Sequence, residues 1–316
     1  MQFGHMKKQI LLLFFWGVGL FTPAPLHAQA PIDTLKLFTW NIQLLPRIAG
    51  WRHRSERIGP IIQYLLHSPY DVVCLQEVFD KKLAARLAQE LKPVFPHVYG
   101  PSQRKGALTS GGVYFFSRYQ SNAQPLPSHL AEQSGYSTSV YKDRVGVDAQ
   151  AAKGGVCILI HPKGLGPLLL VGTHCQAGDG PLRDSIRQSQ YHALRQLSQS
   201  VLKAHKLDST ATILYLGDMN TDQRDPIAYP AMLTKLNAID LTPCDSCYSH
   251  DDRINNYSGP NPNHKPSKID YVLLNRYAAA RWQVVRQGVV RPRTPWARGK
   301  DDLSDHFAVE AWLVPR

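Results

Sequence analysis

Long apolar runs are nearly absent from this sequence. The one candidate, residues 10–21, is shorter than the roughly 20 residues a membrane-spanning helix needs. It follows Lys7 and Lys8 and precedes the small-residue stretch Ala28-Gln29-Ala30. That is the pattern of a secretory leader, so the reading is a signal peptide over 1–30 and a soluble, exported mature chain, secreted or held in the periplasm or envelope. Cleavage is expected after Ala28 or Ala30, with Pro31 disfavouring the latter. No cysteine follows the run directly, so a lipid-anchored form is not indicated. Cysteine is scarce, with five in 316 residues, which excludes a disulfide-built scaffold. Cys74, Cys157 and Cys175 lie in or beside apolar runs, where small thiols are commonly buried. Cys244 and Cys247 form a lone C-x-x-C. Without a second pair it is weak evidence for zinc, and in an exported chain it is placed to close a tight disulfide. Internal repeats, low-complexity tracts and Ser/Gly linkers are also missing, so residues 31–316 read as one domain with one large core. Acidic residues are outnumbered, 24 against 36 Lys and Arg, for a formal net charge of +12. That balance favours polyanions, phosphorylated substrates or anionic lipid head groups and does not choose among them.

What is present is an alternation of short β-branched, apolar runs with helix-period segments, the signature of an α/β protein. Strands are expected at 35–40, 71–75, 112–117, 156–161, 168–173, 212–216, 269–274 and 307–313. Ile58, Ile61, Ile62, Leu65 and Leu66 repeat at helical spacing, as do Ile186, Ala193, Leu194, Leu197 and Val201. Asp80 is placed to cap a helix running to Leu91, and Asp225-Pro226 reads as another helix start. The Pro- and Asn-rich stretch 255–266 reads as a surface loop.

The strong strands end in polar residues that chemistry can use: Asn41, Glu77, His174, Asp218 with Asn220, and Asp305-His306 just before the last strand. Polar groups gathered at strand ends share a rim, where α/β sites are usually built. Glu77 and Asn41 offer the oxygen ligands Mg²⁺ prefers, and this ion commonly takes only one or two protein carboxylates. His306 has the unperturbed pKa of a general base near neutral pH and needs an orienting carboxylate, for which Asp270 and Asp218 are the candidates. His174 is a candidate donor to a phosphoryl or leaving oxygen, and the Asn220 amide a stabiliser of transition-state charge. Taken singly, each reads as well as a turn residue, a solvated charge or a satisfied core histidine. Their number is what argues for a site.

The segments Trp40-Asn41-Ile42, Leu75-Gln76-Glu77-Val78, Gly172-Thr173-His174, Gly217-Asp218-Met219-Asn220, Lys268-Ile269-Asp270-Tyr271 and Ser304-Asp305-His306 occur in the order that the DNase I-like endonuclease/exonuclease/phosphatase superfamily shows. The chain resembles that superfamily across nearly all of its mature length. The resemblance implies a four-layered α/β sandwich, two mixed sheets face to face with helices outside and the site at the loop end. It also implies that Glu77, with Asn41, holds Mg²⁺, with Mn²⁺ or Co²⁺ as substitutes, that Asp218 and Asn220 contact substrate and transition state, and that His306 with an aspartate partner activates water while His174 completes the site, with Asp270 and Asp305 counted in the catalytic set.

The superfamily contains nucleases, phosphatases and lipid phosphodiesterases, so flanking residues must select the branch. Gly172-Thr173-His174-Cys175-Gln176-Ala177-Gly178-Asp179, the Arg187 and Gln190 that follow, and Ala152-Lys153-Gly154 are similar to the sphingomyelinase branch. The glycine spacing of a P-loop is absent around Lys153. The branch resemblance implies a substrate-contact set of Lys153, Gln176, Asp179 and Arg187, with Gln176 and Asp179 alternatively bracing the His174 loop. It implies a monomeric phospholipase C-type enzyme acting on sphingomyelin or a related ceramide phospholipid at a membrane or micelle surface. A secreted DNase I-like endonuclease, with nucleic acid as its partner, is the alternative. One departure stands out. The region 288–302, where lytic relatives carry an aromatic-rich hairpin, holds only Trp296 among Arg291, Arg293, Arg298 and Lys300, so peripheral membrane contact there rests on one aromatic and strong lysis is not expected. The stretch 121–152, with Tyr136 and Tyr141, reads as a surface excursion or a substitute lid.

Overall fold

Period-two alternation in the first strand already sets the layering. In β1 (Leu35–Leu44), Leu35 and Leu37 pack into one apolar cluster while Phe38, Trp40 and Ile42 pack into another, so the strand is buried on both faces. The computed structural model describes residues 34–46, 53–124, 135–208, 210–257, 259–263 and 265–316. The leader expected over 1–30 lies outside them. No helix among the described residues is long and apolar enough to cross a membrane.

After β1 come α1 (Arg54–Leu66), β2 (Val72–Val78), α2 (Lys81–Leu91), β3 (His97–Tyr99), β4 (Tyr114–Ser117), β5 (Ser137–Val140), β6 (Gly154–Ile160) and β7 (Leu168–His174). The chain continues through α3 (Pro181–Ala204), β8 (Thr212–Asp218), α4 (Ala228–Leu236), β9 (Ala238–Asp240), β10 (Asp270–Asn275), β11 (Trp282–Val290), β12 (Arg293–Ala297), β13 (Lys300–Asp302) and β14 (Ala308–Pro315). Two six-stranded mixed sheets result, ordered β11-β14-β1-β2-β4-β3 and β5-β6-β7-β8-β10-β9, with β12-β13 as a separate hairpin. The cluster between the sheets contains Leu37, Cys74, Phe115, Ile158, Leu170, Leu216, Val272 and Val309. On the outer face of the first sheet α1 lays down Ile58, Ile61, Ile62 and Leu65, each worth about 1.5–3 kcal/mol on full burial. Leu194, Leu197 and Val201 of α3 and Met232 of α4 cover the second sheet. The protein is the four-layered α/β sandwich that the resemblance implies.

The sheets approach closely at Gly172, where a Cβ would stand 2.8 Å from Cys74 Sγ and 2.9 Å from Phe115. Gly217 matters in a second way: its φ is +140°, and a Cβ there would lie 2.0 Å from the Thr173 carbonyl oxygen of the paired strand. Glycine at 217 therefore keeps β7 and β8 in register at the ends that carry His174 and Asp218.

Some local expectations are met and others change. Asp80 caps α2, its Oδ1 accepting from the Lys82 and Leu83 N–H groups. Asp225 accepts from Ile227 and Ala228 in the same way, but α4 begins only at Ala228, beyond Pro226. Cys244 and Cys247 are disulfide-bonded, and the other three cysteines are buried thiols. The described part of 121–152 is no lid. It contributes β5 to the second sheet, and Tyr136 and Tyr141 are both buried. Residues 288–302 include a true if small hairpin. Its Trp296 donates Nε1–H to the Asp302 carbonyl at 2.8 Å and lies against His53 and Tyr257, so the indole is half-buried against the molecule.

Candidate active site

The alternation that fills the space between the sheets also builds the site. Continuing the inward face of each strand to its end gives Asn41 on β1, His174 on β7, Asp218 on β8 and, at the start of β10, Asp270. Parallel pairing of β1 with β2 and of β7 with β8 puts like ends side by side, and His174 is directly opposite Asp218. Antiparallel β10 then brings Asp270 opposite Asp218 from the other side. Glu77 turns into the same space with a left-handed φ of 58°. His306 arrives just ahead of β14, its carbonyl receiving the Trp40 indole N–H at 2.9 Å.

The contacts are short. His306 Nδ1 is 2.9 Å from Asp270 Oδ2, and His306 Nε2 is 3.9 Å from Asp218 Oδ2. The Asn41 amide nitrogen donates to Glu77 Oε1 and to Asp218 Oδ2, both at 3.1 Å, while its oxygen accepts from the Gln43 N–H. Asn41 thus bridges two carboxylates through its amide nitrogen while its oxygen meets the backbone of Gln43. His174 Nε2 lies 3.6 Å from Asp218 Oδ2, 4.0 Å from Glu77 Oε1 and 3.0 Å from Lys153 Nζ. An ammonium only donates, so His174 Nε2 accepts and the proton of its neutral ring sits on Nδ1. Asn220, in a left-handed turn, donates its side-chain amide to the Cys175 carbonyl at 3.2 Å.

Burial sets the electrostatics. It is the largest cause raising Glu77, with Asp305 adding to it, and it pushes Asp218 up to about 7, with Asp270 adding to that. His174 is held well below the usual histidine range by burial, then by Lys153 and His306. For His306 burial also works downward, but Asp270, Asp218 and Asp305 outweigh it and hold the ring well above that range. Two histidines in one pocket are thus driven in opposite directions, which is how a site separates a neutral donor from a proton-binding base. Glu77 Oε2, Asp270 Oδ1 and His174 Nδ1 are all buried without a hydrogen-bond partner. Three such atoms on residues of one cluster leave donor and acceptor capacity there that a ligand or ion can take up.

The implied substrate contacts divide. Lys153 is buried, pairs with Asp148 at 2.8 Å and touches His174, so it belongs to the cluster. Gln176 and Arg187 are buried but bond to backbone. Gln176 holds Val145 and Ala177, and Arg187 holds the Gln176 and Gly178 carbonyls. They shape the loop after His174. Asp179 is exposed on that loop, away from the cluster's contacts. Asp305 is bonded by the Gln43 amide and by Ser304 Oγ.

Four contributors carry no motif in the sequence. Asp148 neutralises Lys153, and the His250 ring lies 4.8 Å from that of His306. Asn255 donates to the Ser304 and Asp305 carbonyls, and fully buried Arg57 donates to those of Ile42, Gln43 and Leu303. His250 and Asn255 lie in a loop with no periodicity, and Arg57 reads as a surface charge on α1, so only tertiary contact reveals them.

The Lys153–Asp148 pair gives a stability expectation. Removing one partner of a buried ion pair costs about 3–5 kcal/mol, because the other charge is stranded. Lys153→Met should lower the urea midpoint accordingly, and Lys153→Met with Asp148→Leu should recover much of the stability without restoring activity. A single variant as stable as the parent would show the pair to be solvated.

The sequence profile described as the Endonuclease/Exonuclease/phosphatase family matches residues 38–306. The chain belongs to that family. It is a phosphoric diester hydrolase by class. Within the family it is similar to a Bacillus cereus protein named sphingomyelinase C, 27% identical over 340 residues that cover 98% of each chain. It is also similar to a Staphylococcus aureus protein named phospholipase C, 26% identical over 93% of this chain and 92% of that one. A solved beta toxin of S. aureus, a doubly substituted mutant with bound magnesium ions, superposes with a TM-score of 0.73 at 24% identity, covering 88% of this chain and 99% of its own.

Proposed function

We propose that the protein is an exported, Mg²⁺-dependent phosphodiesterase of the phospholipase C type, cleaving sphingomyelin or a related ceramide phospholipid to ceramide and a phosphorylated head group. The observation that carries this is the pairing of the His306–Asp270 dyad with the Lys153–His174 contact across Asp218. One side offers a base and the other offers donors, as in-line attack of water on phosphorus requires. The end-to-end similarity to proteins named sphingomyelinase C supports a lipid substrate.

Glu77 fits a hard cation: its carboxylate has one buried oxygen without a partner and the other held by the Asn41 amide. When bound there, Mg²⁺ supplies positive charge to the phosphoryl oxygens. His306 Nε2 takes the proton of the attacking water. Asp270 keeps Nδ1–H in place and stabilises the imidazolium that forms. His174 offers its unpartnered Nδ1–H to a phosphoryl or leaving oxygen, and Lys153, donating to Nε2, fixes that tautomer of the ring. Asp218 faces both histidines and Asn41, which orients them toward one point, and Asn220 ties its turn to the loop after His174.

The test is a side-by-side assay of the mature chain on sphingomyelin, phosphatidylcholine and plasmid DNA, with Mg²⁺ and with EDTA. Metal-dependent phosphocholine release from sphingomyelin is the expected result. DNA nicking without lipid cleavage would keep the metal site and replace the substrate.

A further inference from the structure

Trp296, the aromatic that the sequence offers for a lipid surface, is half-buried and bonded inward. Exposed aliphatic side chains occur instead around the mouth of the site. Leu108, Val147 and Leu182 are 65%, 80% and 65% exposed, among the most exposed large apolar residues described. Leu108 sits on a loop, Val147 on a short 3-10 turn and Leu182 in the first turn of α3, and hydrogen bonds join these three segments into one rim. The Leu108 N–H donates to the Gln150 carbonyl, and the Arg104 guanidinium to that of Ala149, which ties 104–109 to the turn holding Val147. Asp148, next to Val147, accepts the Ala177 N–H and pairs with Lys153, and Val145 N–H donates to Gln176, which ties that turn to the loop entering α3, where Leu182 lies. The first loop also reaches the Glu77 side, where the Val78 N–H donates to the Gly112 carbonyl.

The charge of this rim is one-sided. Arg104, Lys105, Lys142 and Arg183 are exposed and Arg144 is half-buried beside Arg104. Against them stand Asp143, bonded by Ser189, exposed Asp179, Asp148 paired with Lys153, and Asp184 paired with Arg187. Single exposed aliphatics are ordinary on soluble proteins. Three on adjoining segments, with an excess of cations beside them and bonded to the Lys153 side of the buried cluster, match a surface that enters the head-group layer of an anionic bilayer.

We propose that this rim, and not the β12-β13 hairpin, docks the enzyme on anionic phospholipid membranes, with Leu108, Val147 and Leu182 entering the interface and Arg104, Lys105, Lys142 and Arg183 meeting lipid phosphates. The proposal builds on the lipid-hydrolase reading but is measured apart from it, with vesicles that contain no substrate. Co-sedimentation with phosphatidylcholine vesicles carrying phosphatidylserine, in EDTA, should show binding that weakens with salt. Leu108→Ser/Val147→Ser/Leu182→Ser should lower the vesicle affinity by at least about tenfold, Lys105→Glu/Lys142→Glu should abolish the preference for phosphatidylserine, and Trp296→Ala should bind as the parent does. Melting curves establish that each variant is folded. On a short-chain, monomeric sphingomyelin the triple variant should turn over at the parent rate while losing activity on bilayers. Parent-like vesicle binding by the folded triple variant, or loss of binding by Trp296→Ala alone, overturns the proposal. Rim-dependent vesicle binding without any sphingomyelin hydrolysis would sustain it and remove the catalytic reading instead.

Discussion

His306→Gln should lower kcat by about a hundredfold to ten-thousandfold, the range expected when a positioned general base is lost. Glutamine is the informative replacement because its amide keeps a donor for Asp270, which is fully buried and would otherwise be stranded beside Asp218. The variant should therefore fold and bind lipid while failing to turn over. Asp270→Asn separates positioning from support. It removes the carboxylate that, against the downward pull of burial, does most to raise the His306 ring. A base raised in pKa is available only as pH climbs, so the parent's rate should increase from neutral into alkaline pH. In Asp270→Asn the rising limb should move to lower pH while the plateau falls. A merely structural role for Asp270 would lower the plateau and leave the limb in place.

Glu77→Gln should abolish metal dependence together with activity, a loss of roughly a thousandfold or more if the cation carries the phosphoryl charge. The substitution keeps a side-chain oxygen for the Asn41 N–H and removes only the charge, so the fold is expected to persist. Titration calorimetry should show Mg²⁺ binding to the parent and none, or at least about tenfold weaker binding, to the variant. The pKa directions add a second observable. Asp218 is raised from 3.8 to about 7, and Glu77 is raised above its ordinary value, in both cases chiefly by burial. The folded, metal-free protein therefore holds more protons than the unfolded chain between those limits. The sign follows: this contribution to stability is complete below about pH 3.8 and is lost as pH rises through 7. Mg²⁺ binding should displace those protons, so its affinity should increase up to about pH 7 and the measured heat should depend on the buffer's ionisation enthalpy. Heat independent of buffer would mean that the ion binds away from both carboxylates.

The central strands were legible as continuous apolar runs, because strands buried on both faces carry apolar residues at successive positions. Which residues share a face only the fold shows: Leu168 and Leu170 of β7 and Leu214 and Leu216 of β8 pack between the sheets, in line with Gly172 and His174 and with Asp218. The order of the short motifs then marked which strand ends carry chemistry. Edge elements were not legible. Strand β11 is long but exposes Gln283, Arg286 and Gln287, and β3, β9 and β13 have three residues each, too few to show a period. Within the site, polar identity did not tell a contact from a brace. Arg187 and Lys153 are both buried cations near His174, yet one is consumed by carbonyls of its own loop and the other faces the histidine. Only the backbone's course distinguishes them. Arg57 shows the converse, a helix-surface cation in sequence that proves to clamp the end of β1 to the segment carrying His306. The Asn41 amide likewise could be placed at the site from its motif, but which of its two ends meets Glu77 depends on the Gln43 N–H beyond it.

The most direct test of the account is ³¹P NMR of sphingomyelin hydrolysis by the mature protein in H₂¹⁸O with Mg²⁺. Water activated by His306 and attacking phosphorus should give phosphocholine carrying one ¹⁸O on its phosphate, with ceramide as the other product and none of either in EDTA. Phosphocholine formed without the label would contradict the attack at phosphorus on which the assigned roles of His306, Glu77, His174 and Lys153 rest, and release of free choline would contradict ceramide as the leaving group.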